Sequence, residues 1–376
     1  MFDFAVLIVS AMFFVAYANG ANDNFKGVAT LFGSGVSDYQ EALWWATATT
    51  IAGSLAAFFL AGNLISAFQG NGLVPSFLVH SRAFLMAVIL GAALTVFAAT
   101  QIGMPISTTH SLTGALIGGA IAAVGFDLSI ETLLRSFFLP LLVSPLIAVA
   151  LSAAASPVLT ALLRFAGVDN QTCVCVGSQV VPAAVTPEGY VFSDASTGLR
   201  IIVDQPSRCV QRLSGRVLGT NVQKLIDYGH YLSAGAVSFA RGLNDTPKIV
   251  ALGLAGGALN LSWSIGLVAV VMALGGILNA RKVAETVSKR IMALEPDQGF
   301  LANLVTSVLV IFASKWGLPV STTHVSCGAL FGIGAASGQA CWGVIRTIVL
   351  AWVLTLPFAA VSAGLIYLLL SRMALA

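Results

Sequence analysis

Charge is what this sequence has least of. Only 9% of its 376 residues are Asp, Glu, Lys or Arg, against about 25% in an ordinary soluble domain. A chain so poor in charge, with 57% hydrophobic residues, has too little polar surface to face water on all sides. That excludes a soluble globular protein, and the length of the apolar runs excludes a barrel of short alternating strands. No basic stripe is present and the net charge is only +3, so nucleic-acid binding has no support. No Gly-x4-Gly-Lys-Ser/Thr loop occurs, which leaves an ion gradient or a partner as the energy source for any uphill work. No basic segment precedes the apolar run Phe4 to Tyr17, so it reads as a retained first helix rather than a signal peptide. Cysteines number five. Cys327 and Cys341 fall in apolar helical sequence, where a thiol packs as a small hydrophobe. Cys173, Cys175 and Cys209 fall in a polar central stretch, and their spacing is too poor for a four-ligand zinc site.

What is present is a repeat. Residues 103–118 read GMPISTTHSLTGALIG and residues 317–332 read GLPVSTTHVSCGALFG. A second motif precedes each copy: NGANDNFKGVATL at 19–31 and RGLNDTPKIVALG at 241–253. Two motifs recurring in one order mark two related halves. Polar segments, broken by Gly and Pro, at matching places in two apolar halves point to a transporter's substrate site.

A span needs roughly 20 apolar residues. Such runs lie at 3–30, 42–66, 83–102, 109–125 and 131–165, and again at 225–256, 261–280, 299–316, 323–338 and 342–371. The first run of each half is expected to break, near Asn19 to Asn24 and near Arg241 to Pro247. Pro140, Pro145 and Pro157 are expected to kink or split 131–165. The two Gly-x-Pro-x-Ser-Thr-Thr-His segments each join two apolar arms and read as hairpin tips. The expected fold is an all-α polytopic membrane protein of two inverted-topology repeats. The repeats occupy 1–165 and 223–376, with broken first helices and Ser/Thr-tipped helical hairpins. A small cytoplasmic β-rich insert at 166–222 joins them, in which 189–192 and Leu199 to Val203 read as short strands. An odd number of crossings per repeat inverts the second. The loop 281–298 carries Arg281, Lys282, Lys289 and Arg290 while its counterpart 67–81 has no Lys or Arg, which puts the former in the cytoplasm and both termini outside.

Asp23 and Asp245 are the first candidates for function. An intramembrane carboxylate costs at least a few kcal/mol and faces a cavity, a partner or an ion. Each follows an asparagine, Asn22 or Asn244, and a helix break would free carbonyl oxygens for a hard cation such as Na+. The plain alternative is that each Asp caps a half-helix. Ser107, Thr108 and Thr109, with Ser321, Thr322 and Thr323, begin two apolar helices. A helix start offers unpaired N–H groups and a positive dipole end, so each tip is a candidate oxyanion site. Simple capping is the alternative. His110 and His324 are packing, tip-orienting or proton-relay residues. Lys26 and Lys248 each follow an Asp by three residues, the spacing of one helical face. They either neutralise the carboxylates or supply positive charge to an anion.

The Gly20-Ala-Asn-Asp23, Gly242-Leu-Asn-Asp245 and paired Pro-x-Ser-Thr-Thr-His segments resemble the signatures of the inorganic phosphate transporter (PiT) family. The resemblance covers about 3–165 and 225–371 and leaves out the central insert. It implies a multi-pass plasma-membrane symporter, dimeric, and not an enzyme. Phosphate would be held by the tips and the Asn–Asp segments, with Na+ near Asp23 and Asp245. One departure stands out. The family continues its first motif with small and amide residues, whereas this chain has Asn24-Phe25-Lys26-Gly27, and Lys248 repeats the change. Two ammonium groups could replace part of the bound cation charge, which leaves both Na+ and H+ as coupling ions. Sulfate permeases share the signatures, so sulfate is the alternative anion. From another class, the chain could be an anion sensor signalling through its insert. A membrane enzyme is disfavoured, because Ser-x-x-His alone makes no triad.

Overall fold

The computed structural model describes residues 4–165, 172–179, 184–185, 191–192, 199–205, 213–257 and 259–375. Helix α1 spans Phe4–Asp23, a 3-10 turn Asn24–Gly27 follows, and α2 spans Ala29–Gly33. Then come α3 (Tyr39–Leu60), α4 (Gly62–Phe68), α5 (Ser76–Val79), α6 (Arg82–Gln101) and α7 (Thr108–Val124). A short α8 (Ile130–Thr132) runs through a π turn, Leu133–Phe138, into α9 (Leu139–Phe165). After the insert follow α10 (Val222–Ala255), α11 (Leu261–Asn279), α12 (Arg281–Lys289), α13 (Pro296–Lys315), α14 (Thr322–Ser337) and α15 (Trp342–Leu375). Among the described residues seven helical stretches are long and apolar enough to cross a membrane. The chain is therefore a polytopic, mostly helical membrane protein.

The two halves repeat in detail. Asp38 caps α3 by accepting from Glu41 N, and Asn260 caps α11 by accepting from Trp263 N. Helices α6 and α13 both stop just before a left-handed glycine, Gly103 and Gly317, each with φ of 72°. Only glycine takes that conformation without strain. Ser107 and Ser321 then cap α7 and α14 with near-identical geometry, their hydroxyls accepting from His110 N and His324 N at 3.1 Å. Each half thus makes a hairpin whose tip is fixed by one glycine and one serine.

The hairpins are exchanged between halves. Gly114 and Gly118 of α7 lie against the backbone of Leu356 and Ala360 on α15. Gly328 and Gly332 of α14 lie against Pro145 and Val149 on α9. Small residues four apart let helix backbones approach closely, which is how membrane helices pack where water supplies no driving force. Each tip helix therefore packs on the long last helix of the other half. A large apolar cluster gathers around α1, α6 and α7, with Met12, Phe84, Val88 and Leu112 fully buried.

Two expectations differ. The first helix of the first half breaks at the 3-10 turn, but its counterpart α10 runs unbroken through Pro247. A proline forfeits one helical hydrogen bond, and a helix packed on both sides carries that loss as a local distortion rather than an end. Pro247 is buried inside α10 and does not start a new helix. Likewise Pro140, Pro145 and Pro157 do not split α9; the irregularity falls upstream, in the π turn.

The chain divides into two compact units, one of Met1–Ser156 with His230–Ala376 and one of Pro157–Gly229. In the second, β1 (Cys173–Gln179), β4 (Leu199–Asp204) and β5 (Leu213–Asn221) form an antiparallel sheet in the order β4-β1-β5. Cys175 pairs with Ile202 and Gly219, and a bulge falls between Val176 and Ser178. β2 (Ala184–Val185) and β3 (Val191–Phe192) make a separate two-stranded ribbon. Cys175 is disulfide-bonded, which its Cys-x-Cys spacing does not announce. Cys209 lies outside the described residues, as do Gly189 and Tyr190 of the expected strand at 189–192.

Candidate functional site

The repeated motifs meet in one buried cluster. Asn22, Asp23, Lys26, Asn244, Asp245 and Lys248 are all at most 5% exposed. So are Ser107, Thr108, Thr109, Ser321 and Thr323, and Thr322 is 6% exposed. Asn22, Asp23, Lys26, Thr108, Thr109, Asn244, Asp245, Lys248 and Thr323 are joined there by hydrogen bonds, while Ser107 and Ser321 cap the tip helices.

The two lysines are wired as mirror images. Lys26 Nζ donates to Ile106 O of its own tip at 2.8 Å and to Thr323 Oγ1 of the other tip at 2.8 Å. Lys248 Nζ donates to Val320 O of its own tip at 2.8 Å and to Thr109 Oγ1 of the other at 2.7 Å. Each threonine hydroxyl in turn donates across to the opposite tip's carbonyl: Thr109 to Val320 O at 3.2 Å, Thr323 to Ile106 O at 3.0 Å. The tips are thus stitched together by two ammonium groups and two hydroxyls. Lys26 also pairs with Asp23, and Lys248 faces Asp245 Oδ1 at 3.4 Å.

All four carboxylate oxygens meet donors. Asp23 Oδ1 takes Lys26, and Oδ2 takes Asn19 Nδ2 at 2.9 Å and Thr108 Oγ1 at 3.0 Å. Asp245 Oδ1 takes Asn244 Nδ2 at 3.1 Å, and Oδ2 takes Asn19 Nδ2 at 3.2 Å. The asparagines brace the tips. Asn22 Nδ2 donates to Thr100 Oγ1 at 2.9 Å and Met104 O at 3.0 Å. Asn244 Nδ2 donates to Val320 O at 3.1 Å, while Ser314 Oγ donates to Asn244 Oδ1 at 3.2 Å.

Two residues escaped the sequence reading. Arg241, 1% exposed, reaches from α10 into the first half, donating to Asn19 Oδ1 at 2.8 Å, Asn24 Oδ1 at 3.0 Å and Thr50 Oγ1 at 3.3 Å. Its Nε stands 3.8 Å from Asp245 Oδ2. Asn19 is the other. Both stand four residues before an Asp, a spacing that puts them on the face of that Asp, and this was the signal available. Here the pseudo-symmetry fails: one half has an amide where the other has a guanidinium. Three buried cationic heads consequently face two carboxylates. Salt bridges this deeply buried hold only when hydrogen bonds satisfy the remaining protons and lone pairs. The two carboxylates and the two ammonium groups meet that condition, whereas Arg241 Nε has no hydrogen-bond partner.

His110 and His324 do not join the ion cluster. Their rings lie 4.2 Å apart, and His324 stacks on Trp352 at 3.9 Å. Trp352 Nε1 donates to Pro105 O at 3.0 Å, tying the stack to the first tip. Beyond it is an apolar cavity of about 520 Å³ lined by α9 and α15 residues such as Leu141, Pro145 and Val353. The histidines pack on each other and on Trp352, and His110 Nδ1 and His324 Nε2 are buried without a hydrogen-bond partner.

A many-span helical protein whose inverted halves bring matched polar motifs together under two hairpin tips has the build of a secondary transporter. The model of the phosphate transporter family matches residues 19–363, and the chain belongs to that family. It is a transporter family rather than an enzyme family. An Arabidopsis thaliana protein, inorganic phosphate transporter 2-1, chloroplastic, is 27% identical; the match takes in 93% of this chain and 69% of that one. A Haemophilus influenzae protein named as a phosphate permease is 28% identical, over 95% of this chain and 94% of its own. A solved structure titled the sodium-dependent phosphate transporter shares the fold, with a TM-score of 0.72 at 22% identity, covering 98% of this chain and 99% of that one.

Proposed function

We propose that the chain carries inorganic phosphate across the plasma (inner) membrane as a secondary transporter, with the anion bound between the two tips. The observation that supports this most is the crosswise stitching of the tips. Thr109, Thr323, Lys26 and Lys248 spend their donors on two backbone carbonyls, Ile106 O and Val320 O. An oxyanion entering between the tips would replace those carbonyls as acceptor. It would gain two ammonium and two hydroxyl donors, with the α7 and α14 N-termini behind them. Asn22 and Asn244 then hold the tips, and Ser107, Thr108, Ser321 and Thr322 shape them. Asp23 and Asp245 stay beside the anion. A carboxylate there favours phosphate, which keeps a proton at neutral pH, over sulfate, which has none to share.

Cation coupling is part of the proposal, with Asp23 and Asp245 as the cation side. A coupling Na+ would have to displace Asn19 or an ammonium head, since every carboxylate oxygen is already engaged; H+ needs no such exchange. Each chain carries two repeats (1–165 and 223–376) joined by the insert 166–222, and two such chains work as a homodimer. In this proposal α12 and the insert lie in the cytoplasm and both termini outside, a reading that the basic residues of α12 support. One observation favours the reverse orientation: Cys175 is disulfide-bonded, and disulfides persist on oxidising sides of membranes. Impermeant labelling of a cysteine placed at Arg290 from each side of the membrane decides between the two.

The direct test is uptake of labelled phosphate into proteoliposomes under imposed Na+ or H+ gradients, with sulfate as competitor. Phosphate flux that rises with one gradient and resists sulfate supports the proposal. Sulfate flux without phosphate flux would sink it in favour of a sulfate permease.

A further inference from the structure

The buried cluster needs a way in, and one polar cavity comes close to it. On the α12 side a polar cavity of about 270 Å³ is lined by Thr100, Gln101, Asn279, Arg281, Lys282 and Glu285. Its inner wall is thin. Thr100, 2% exposed, accepts from Asn22 Nδ2 at 2.9 Å, and Asn22 Oδ1 accepts from Lys26 Nζ at 2.7 Å. Two side chains therefore separate this cavity from an ammonium of the cluster.

The equivalent place in the other half is built differently. Ser314 stands where Thr100 does, touching Asn244 Oδ1 at 3.2 Å. The residue before Asn244, Leu243, belongs to a buried apolar cluster with Ala57, Ala61 and Leu64. Leu243 precedes Asn244 as Ala21 precedes Asn22, so the repeat substitutes a large side chain for a small one at the matched position. The hairpin glycines meet different neighbours. Gly103 rests on Lys282, and Gly317 rests on Asn63.

We propose that the cavity at Thr100 and Lys282 is the doorway by which the transported oxyanion reaches or leaves the cluster, and that Leu243 stoppers the matching route on the opposite face. The proposal rests on the reading of the cluster as an oxyanion site. The charges suit it. Arg281 is paired with Glu285 at 3.4 Å, while Lys282, anchored to Gln101 O at 2.8 Å, has no carboxylate among its described ion pairs. One positive charge is left over at the mouth, and a charged mouth with low-dielectric walls raises the capture rate of an anion. The Thr100–Asn22 bond is the gate. Opening it frees Asn22 to swing from Lys26, which bares the ammonium to the incoming anion.

The test uses the full-length protein in oriented proteoliposomes. An impermeant, anionic thiol reagent is applied to each face of Thr100→Cys, with the wild type giving the background of the native cysteines. Gln101→Cys, at an exposed lining position, serves if Thr100→Cys does not fold. The expected result is labelling from the α12 face and protection by added phosphate. Labelling only from the opposite face, or from neither, overturns the doorway. As an independent arm, Arg281→Gln with Lys282→Gln should raise the half-saturation concentration for anion presented at the α12 face by about three- to tenfold at low salt, up to the lower end of the range of electrostatic steering. The effect should shrink at high salt, where exposed charges are screened. An equal change from both faces would overturn the proposal. The arms separate it from the phosphate reading. If sulfate protects and phosphate does not, the substrate is wrong and the doorway stands. If phosphate flux is intact while the cysteines stay unlabelled, the doorway alone is wrong.

Discussion

Lys248→Met removes an ammonium from a place where water cannot stand in for it. The side chain is 1% exposed. Its Nζ donates to Thr109 Oγ1 at 2.7 Å and Val320 O at 2.8 Å and faces Asp245 at 3.4 Å. After the change Asp245 keeps only amide donors and the Arg241 Nε at 3.8 Å. Breaking a buried ion pair from one side costs roughly 3–5 kcal/mol, because a charge is left uncompensated. Neutralising both partners avoids that cost, so Asp245→Asn with Lys248→Met should recover part of the loss. Recovery stays incomplete, since Arg241 then loses the carboxylate it faces and Val320 O keeps only Thr109 and Asn244 of its three donors. The expected coupling energy is about 2–3 kcal/mol, the upper range for contacting pairs. The assay is unfolding of the wild type, both single variants and the double variant by SDS titration in mixed micelles. A coupling energy below about 0.5 kcal/mol, the additivity limit for independent sites, would refute the pairing and with it the stitched-tip geometry.

Ser107→Ala and Ser321→Ala each remove a helix cap and should each cost about 0.5–2 kcal/mol in the same unfolding assay; no loss would mean the hydroxyls do not cap. Gly118→Val and Gly332→Val drive side chains into the backbones of α15 and α9, so both should abolish accumulation of folded protein, read by size-exclusion profile. A normal profile for either would contradict the exchanged packing. Thr172 O accepts from Val222 N at 2.9 Å, so the ends of the insert meet. Replacing 173–221 with a short Gly/Ser linker should leave phosphate flux within about twofold of wild type, as loop replacements are tolerated where ends are close; lost flux with normal folding would favour a sensing role for the insert.

Much of this architecture was legible in the sequence because the two halves state it twice. Gly-x-Pro-x-Ser-Thr-Thr-His fixed where each hairpin turns, and the structure places a left-handed glycine and a capping serine there in both copies. The pairing of Lys26 with Asp23 and of Lys248 with Asp245 followed from three-residue spacing. Partners across the halves did not follow from spacing. Which threonine meets which lysine depends on how α7 and α14 exchange, and that is set by glycine contacts far from the site. The continuity of α10 was hidden for a related reason. Proline and Asn–Asp are local signals to stop, and packing from both halves overrides them at Pro247 but not at Asn24. Arg241 was hidden by asymmetry: a reading built on matching the halves attends least to a position where they differ.

The most direct test of the central claim is a structure of the protein with phosphate bound. Tetrahedral density between the tips is expected, within hydrogen-bonding distance of Thr109, Thr323, Lys26 and Lys248, with the bonds to Ile106 O and Val320 O opened. Density elsewhere, with those two carbonyls still holding both lysines, would contradict it.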